Sequence, residues 1–149
     1  MTNLCAALGL VSAFGTGCSS QPVEPPPSDL PASVTVSACD SAMAGDAYVL
    51  GQVSWADDVL VVPVSFGGGC ATHSFAACWD GIVLDSFPPM VALAVRHDAH
   101  GDRCDAWITR DLQVSIAPIL DAVTAPLSLT VIGAQSQMTG TTGTVRIGD

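Results

Sequence analysis

Val59-Leu60-Val61-Val62-Pro63-Val64 and, further along, Val91-Ala92-Leu93-Ala94-Val95 are the stretches that decide the fold class. The first is a β-branched run and the second alternates large apolar residues with alanine, the two-residue period of a strand that buries one face. Leu112, Val114 and Ile116 alternate with Gln113 and Ser115, and Leu127, Leu129 and Val131 with Ser128 and Thr130; Thr144–Ile147 offers a last short strand. Loop-forming residues separate these runs at intervals of roughly 8–12 residues or a little more. They are Ala56-Asp57-Asp58, Gly67-Gly68-Gly69, Asp80-Gly81, Pro88-Pro89 and Ala99-His100-Gly101-Asp102. Apolar residues recur at helical spacing only for one turn near Ile119–Val123. The pattern predicts an all-β domain of about seven to nine antiparallel strands, a β-sandwich immunoglobulin-like in general plan, with Pro118–Pro126 crossing between its sheets. Pro63, which has no N–H to give to a ladder, is expected on an edge or at a bulge.

Ahead of this domain the chain changes character. An uncharged apolar run from Leu4 to Phe14, interrupted by Gly9 and Ser12, is shorter than the roughly 20 residues a membrane-spanning helix needs. It leads through Gly15-Thr16-Gly17 to Cys18-Ser19-Ser20. This segment resembles the export signal of bacterial lipoproteins, in which small residues precede a cysteine that becomes the new N-terminus. The resemblance covers residues 1–20 and implies a removable signal peptide over 1–17 and diacylation, with palmitate-type chains, at Cys18. No Lys or Arg precedes the run, as would follow from a start codon upstream of Met1. Residues 19–33 hold five prolines and no periodicity, which makes 18–33 a lipidated, extended tether and leaves 34–149 as a single domain. The expected location is the bacterial cell envelope, lipid-anchored on the outer membrane, at its periplasmic face or on the surface.

Charge narrows the partners. The chain carries 14 acidic and 4 basic residues, no lysine and a net charge of −10. That excludes nucleic acid and an anionic headgroup surface as direct partners. Any membrane attachment is expected through lipid at Cys18, and the expected partner is another envelope protein or a glycan.

Six cysteines are present; Cys5 leaves with the signal and Cys18 takes lipid. Cys39, Cys70, Cys78 and Cys104 then remain in an oxidising compartment, an even set with three possible connectivities. Cys70 and Cys104 both stand at strand ends beside glycine-containing loops, which favours their pairing and leaves Cys39 with Cys78. The stretch Gly67-Gly68-Gly69-Cys70-Ala71-Thr72-His73-Ser74-Phe75, with His97–Cys104, also resembles a pattern in uncharacterised exported lipoproteins of similar size. The resemblance implies a disulfide-stapled exported β-domain, supports the Cys70–Cys104 bond and assigns no activity.

Enzyme signatures are missing. There is no Gly-x-Ser-x-Gly elbow, His-Glu-x-x-His helix, phosphate-binding loop or dinucleotide fingerprint, and the single glutamate, Glu24, falls in the tether. Cys70/His73 and Ser74/His97 can be drawn as nucleophile pairs, but no residue is specified to orient them. The constellation with chemical promise is His73, His97 and His100 with Asp98 and Asp102. His73 is in phase with Phe75, Ala77 and Trp79, and His97 with Val91, Leu93 and Val95, so both imidazoles are expected to point inward near a strand end. There they either find backbone and carboxylate partners or hold Zn²⁺ or Cu²⁺, with His100 or Asp98 completing the set. Trp107 is in phase with Asp105 and Thr109 rather than with Ala106 and Ile108, which marks it for contact with a sugar or a protein. The expectation is a lipid-anchored binding or structural module rather than an enzyme, the alternative being a metal-binding envelope protein built on His73 and His97.

Overall fold

Alternation along each long strand sends one set of side chains into a single core. The computed structural model describes residues 33–40, 45–56, 59–134 and 142–148; the signal-like run, Cys18, the tether up to Ala32 and the Asp57-Asp58 turn lie outside them. The strands are β1 (Ser33–Ala38), β2 (Val49–Leu50), β3 (Ser54–Ala56), β4 (Val59–Gly68), β5 (Ser74–Trp79), β6 (Val83–Leu84), β7 (Met90–Asp98), β8 (Ala106–Ser115), β9 (Leu127–Ala134) and β10 (Thr142–Ile147); one short helix, α1 (Ala117–Ala122), joins β8 to β9. Leu60, Val62, Val64 and Phe66 from β4 meet Val91, Leu93 and Val95 from β7, with Leu112, Val114, Leu129 and Val131 between them. Among the described residues no helix is long and apolar enough to cross a membrane.

The strands form one mixed sheet, in the order β10-β9-β7-β5-β1-β8-β4-β2, with β3 added to β4 and β6 to β7. The sheet curls until β10 approaches β3, where a side chain at Gly143 would collide with Val53. This corrects the expected antiparallel, immunoglobulin-like sandwich. The all-β content and the two disulfides stand, but the architecture is a nearly closed barrel-like sheet with three parallel pairings, β1–β5, β1–β8 and β7–β9. Two-residue periodicity reports which face of a strand is buried and is blind to the direction of its neighbours, so the sandwich and the barrel write the same pattern.

β1 is the element that joins the two halves of the sheet. Its first residues, Ser33–Thr35, pair with Gln113–Ser115 of β8, and its last, Val36–Ala38, with Ala77–Trp79 of β5. Cys39 then bonds Cys78, with Cα atoms 4.9 Å apart, and Cys70 bonds Cys104 at 5.8 Å. Pro63 lies inside β4 at the break between its two short neighbours: β3 pairs up to Val61 and β2 from Val64, while Gly51 N–H donates to the Pro63 carbonyl. Segment 118–126 carries the chain from β8 to β9, and Pro118 opens α1, which lays Ile119 on the core.

Candidate functional site

The barrel has two ends. One carries Gly68–His73, the start of β5, the end of β7 and the loop into β8; the other carries α1, Trp79 and the β6 hairpin. Antiparallel pairing of β5 with β7 sets Phe75 opposite His97 and Ser74 opposite Asp98, so His97 shares the inner face with Phe75 while Ser74 faces out. The Ser74/His97 pairing is thereby ruled out by register. Cys70 is spent in its disulfide.

His73 and His97 are brought together. They are 5% and 1% exposed, and their rings stack 5.0 Å apart beside Phe66 and Phe75. Nδ1 of His73 lies 2.8 Å from Nε2 of His97, Nε2 of His73 lies 3.0 Å from Oδ2 of Asp102, and Nδ1 of His97 lies 3.2 Å from the Ala47 carbonyl. The Asp102 side chain has no exposed surface. Its Oδ2 also accepts the N–H groups of Gly69, Cys70 and Ala71 at 2.8, 2.8 and 2.9 Å, while Oδ1 accepts that of Cys104 at 2.9 Å. Three successive N–H groups converge because the chain turns at Gly69 with φ 119°, in the left-handed region that favours glycine. Gly68 is required for a second reason: a Cβ there would run into the His73 ring.

The groups form a chain of carboxylate, imidazole, imidazole and carbonyl, whose two ends only accept. Burial lowers the pKa of His97, and repulsion from His73 adds to the effect, while the hydrogen bond to Ala47 opposes it. Asp102 is held far below the usual carboxylate range, first by the Cys104 N–H and then by His73 and the N–H groups of Ala71 and Cys70.

Stability should therefore fall in acid in two steps. His97 titrates lower in the folded chain than its ordinary 6.5, so the unfolded chain takes up the proton first; the contribution is whole above about pH 6.5 and is lost as pH falls below it. Asp102, also depressed, contributes fully above about pH 4 and loses its contribution below that. Urea midpoints measured from pH 8 to pH 3 check this; a midpoint flat down to pH 4 would contradict the first step.

The remaining candidates are elsewhere. His100 and Asp98 sit on the exposed turn and face each other, with Nε2 and Oδ2 3.8 Å apart and the His100 N–H bonded to Asp98 Oδ1, so they do not join the two buried rings. Cys70, Cys104 and Asp102 bring three ligand-type atoms within 4.8 Å of one another, but both sulfurs are bonded and the carboxylate is fully occupied by donors. All four ring nitrogens of His73 and His97 have partners, so a metal ion would have to displace one. Trp107 stands on the outer wall at 66% exposed, opposite Gly67, while Trp55 and Trp79 pack against the core. Residue reading missed two things: the part of Ala47, which carries no periodic signal, and the exposed hairpin at the other end.

No family model and no curated protein matches the chain. Solved structures do. A protein of unknown function from Bacteroides vulgatus superposes with a TM-score of 0.55 at 9% identity, over 78% of this chain and 56% of that one. A provisionally assigned lipoprotein from Bacteroides fragilis gives 0.53 at 12% identity, over 76% and 69%. A NigD-like immunity protein from Bacteroides caccae gives 0.50 at 18% identity, over 74% and 58%. The likeness is one of fold. The chain spans little more than half the length of two of these neighbours.

Proposed function

We propose that the chain is an exported, lipid-anchored module of the bacterial envelope that acts by binding, held through acyl chains on Cys18 and spaced from the bilayer by residues 19–33. One observation carries the binding reading: His73, His97 and Asp102 are sealed from solvent, while a large aromatic is displayed on the wall. Trp107 lies across from Gly67, where a Cβ would meet nothing within 4 Å, so its indole has a clear approach. The next pair on the same face, Ser65 and Thr109, joins hydroxyls at 2.9 Å, and Asp111 and Gln113 follow. An exposed ring beside hydroxyl, carboxylate and amide groups is the chemistry that holds a sugar ring, stacked on one face and hydrogen-bonded at its edge. The apolar run ahead of Cys18 and a lipoprotein among the fold neighbours support the envelope location.

Two measurements test this. Intact mass of the chain from membrane fractions should match diacylated Cys18 with two disulfides, and a metal retained in the native spectrum would instead make His73 and His97 its ligands. Co-sedimentation with purified peptidoglycan should fall about tenfold for Trp107→Ala with unchanged thermal unfolding; equal pelleting of variant and parent would sink the glycan surface.

A further inference from the structure

The hairpin at the end opposite the histidines is apolar, rigid and uncovered. Phe87 at its tip is 100% exposed, with Ile82 at 59% and Leu84 at 55% beneath it. Nothing about the tip is loose. Ser86 Oγ donates to the Pro88 carbonyl at 2.8 Å, Ile82 N–H to Asp80 Oδ1 at 2.9 Å, Trp79 Nε1 to the Ile82 carbonyl at 3.1 Å, and Ser128 N–H to the Pro89 carbonyl at 2.8 Å. A benzyl group displayed in water from a backbone tied in this way is an apolar knob. Beside it, Asp80, Ile82, Leu84, Met90, Ala92 and Thr130 line a groove of about 220 Å³, which accommodates an aromatic side chain.

We propose that this face pairs two copies of the chain, each Phe87 entering the other's groove about a two-fold axis. The chain itself carries both halves of the contact, a knob and a groove that no other described residue covers, side by side on one hairpin, which is the arrangement that closes reciprocally in an isologous dimer. Charge agrees. In a chain of net charge −10, residues 80–95 hold two charged side chains, Asp80 at the groove and Asp85, and β9 holds none, so the patch can be buried without bringing many like charges together. The interface is independent of the Trp107 surface, which lies on the β4–β8 wall.

Sedimentation of the exported chain with Cys18→Ser, which removes acylation and leaves the rest intact, tests the pairing. A concentration-dependent dimer is expected, and it should strengthen as salt rises from about 0.02 to 0.5 M, because the residual repulsion between two acidic copies is screened. Phe87→Ser should weaken it by roughly 30-fold, and Ala92→Trp, which fills the groove, should do the same, with circular dichroism unchanged in both. A chain monomeric at all concentrations, or a dimer untouched by both variants, overturns the proposal. So does a monomer that floats with phosphatidylcholine vesicles in a Phe87-dependent way, which would make a bilayer the occupant.

Discussion

Replacing His97 with alanine is expected to lower the unfolding free energy by about 3–5 kcal/mol, the range for removing a large aromatic-sized side chain from a core. Three losses combine. The ring stacks on Phe75 with centroids 4.6 Å apart and on His73, and lies 4.9 Å from Phe66, so truncation opens a cavity between aromatic neighbours that cannot collapse onto each other. His73 Nδ1 loses a hydrogen-bond partner in the buried interior, and the Ala47 carbonyl loses one in a part-buried place. The segment holding Ala47 is tied to β7 by the Asp46 N–H to the His97 carbonyl, the Tyr48 hydroxyl to the Val95 carbonyl and the Ala99 N–H to Asp46, so it should stay attached and leave those groups stranded. Urea unfolding followed by tryptophan fluorescence measures the change. A loss below about 1 kcal/mol would mean that the segment swings away and lets water in.

Removing the Cys70–Cys104 bond, by Cys70→Ala with Cys104→Ala, should cost about 3–4 kcal/mol, as expected for a cross-link closing a loop of this length. Cys39–Cys78 closes a similar length, 39 residues against 34, so chain entropy alone predicts nearly equal losses for the two double variants. They should differ in acid. Cys70 and Cys104 flank the N–H groups that hold Asp102, and loosening them raises that carboxyl toward its ordinary value and shrinks the step below about pH 4. The Cys39–Cys78 variant should keep the step at full size. Identical pH profiles for the two would show that the Asp102 cradle holds without its disulfide.

The inward set of side chains was readable because burial alternates along β4, β7, β8 and β9 as their sequences do, and phase alone put both buried histidines on the core face. The partners of those histidines were not readable. Asp102 is five residues beyond His97 and 29 beyond His73, and only the turn at Gly69 brings three N–H groups to its carboxylate. Strand direction was equally hidden. β7 and β9 are separated in sequence by β8 and α1, and β1 by still more from β8, so their parallel pairing leaves no local mark. The hairpin escaped because the exposure of Ile82, Val83 and Leu84 is decided by tertiary packing, no other described residue covering them, and not by their own apolar character.

β1 follows directly on the segment that leads to Cys18, so any force pulling the domain toward an anchor there enters the fold through six residues. Both ladders of β1 run parallel to it, and a pull along the strand axis therefore loads their hydrogen bonds in shear, all at once, rather than peeling them one by one. If the ladders give way, extension stops at Cys39, which is covalently joined to β5. Pulled from its front end, the domain would thus meet a slipping clasp of six residues, then a hard stop.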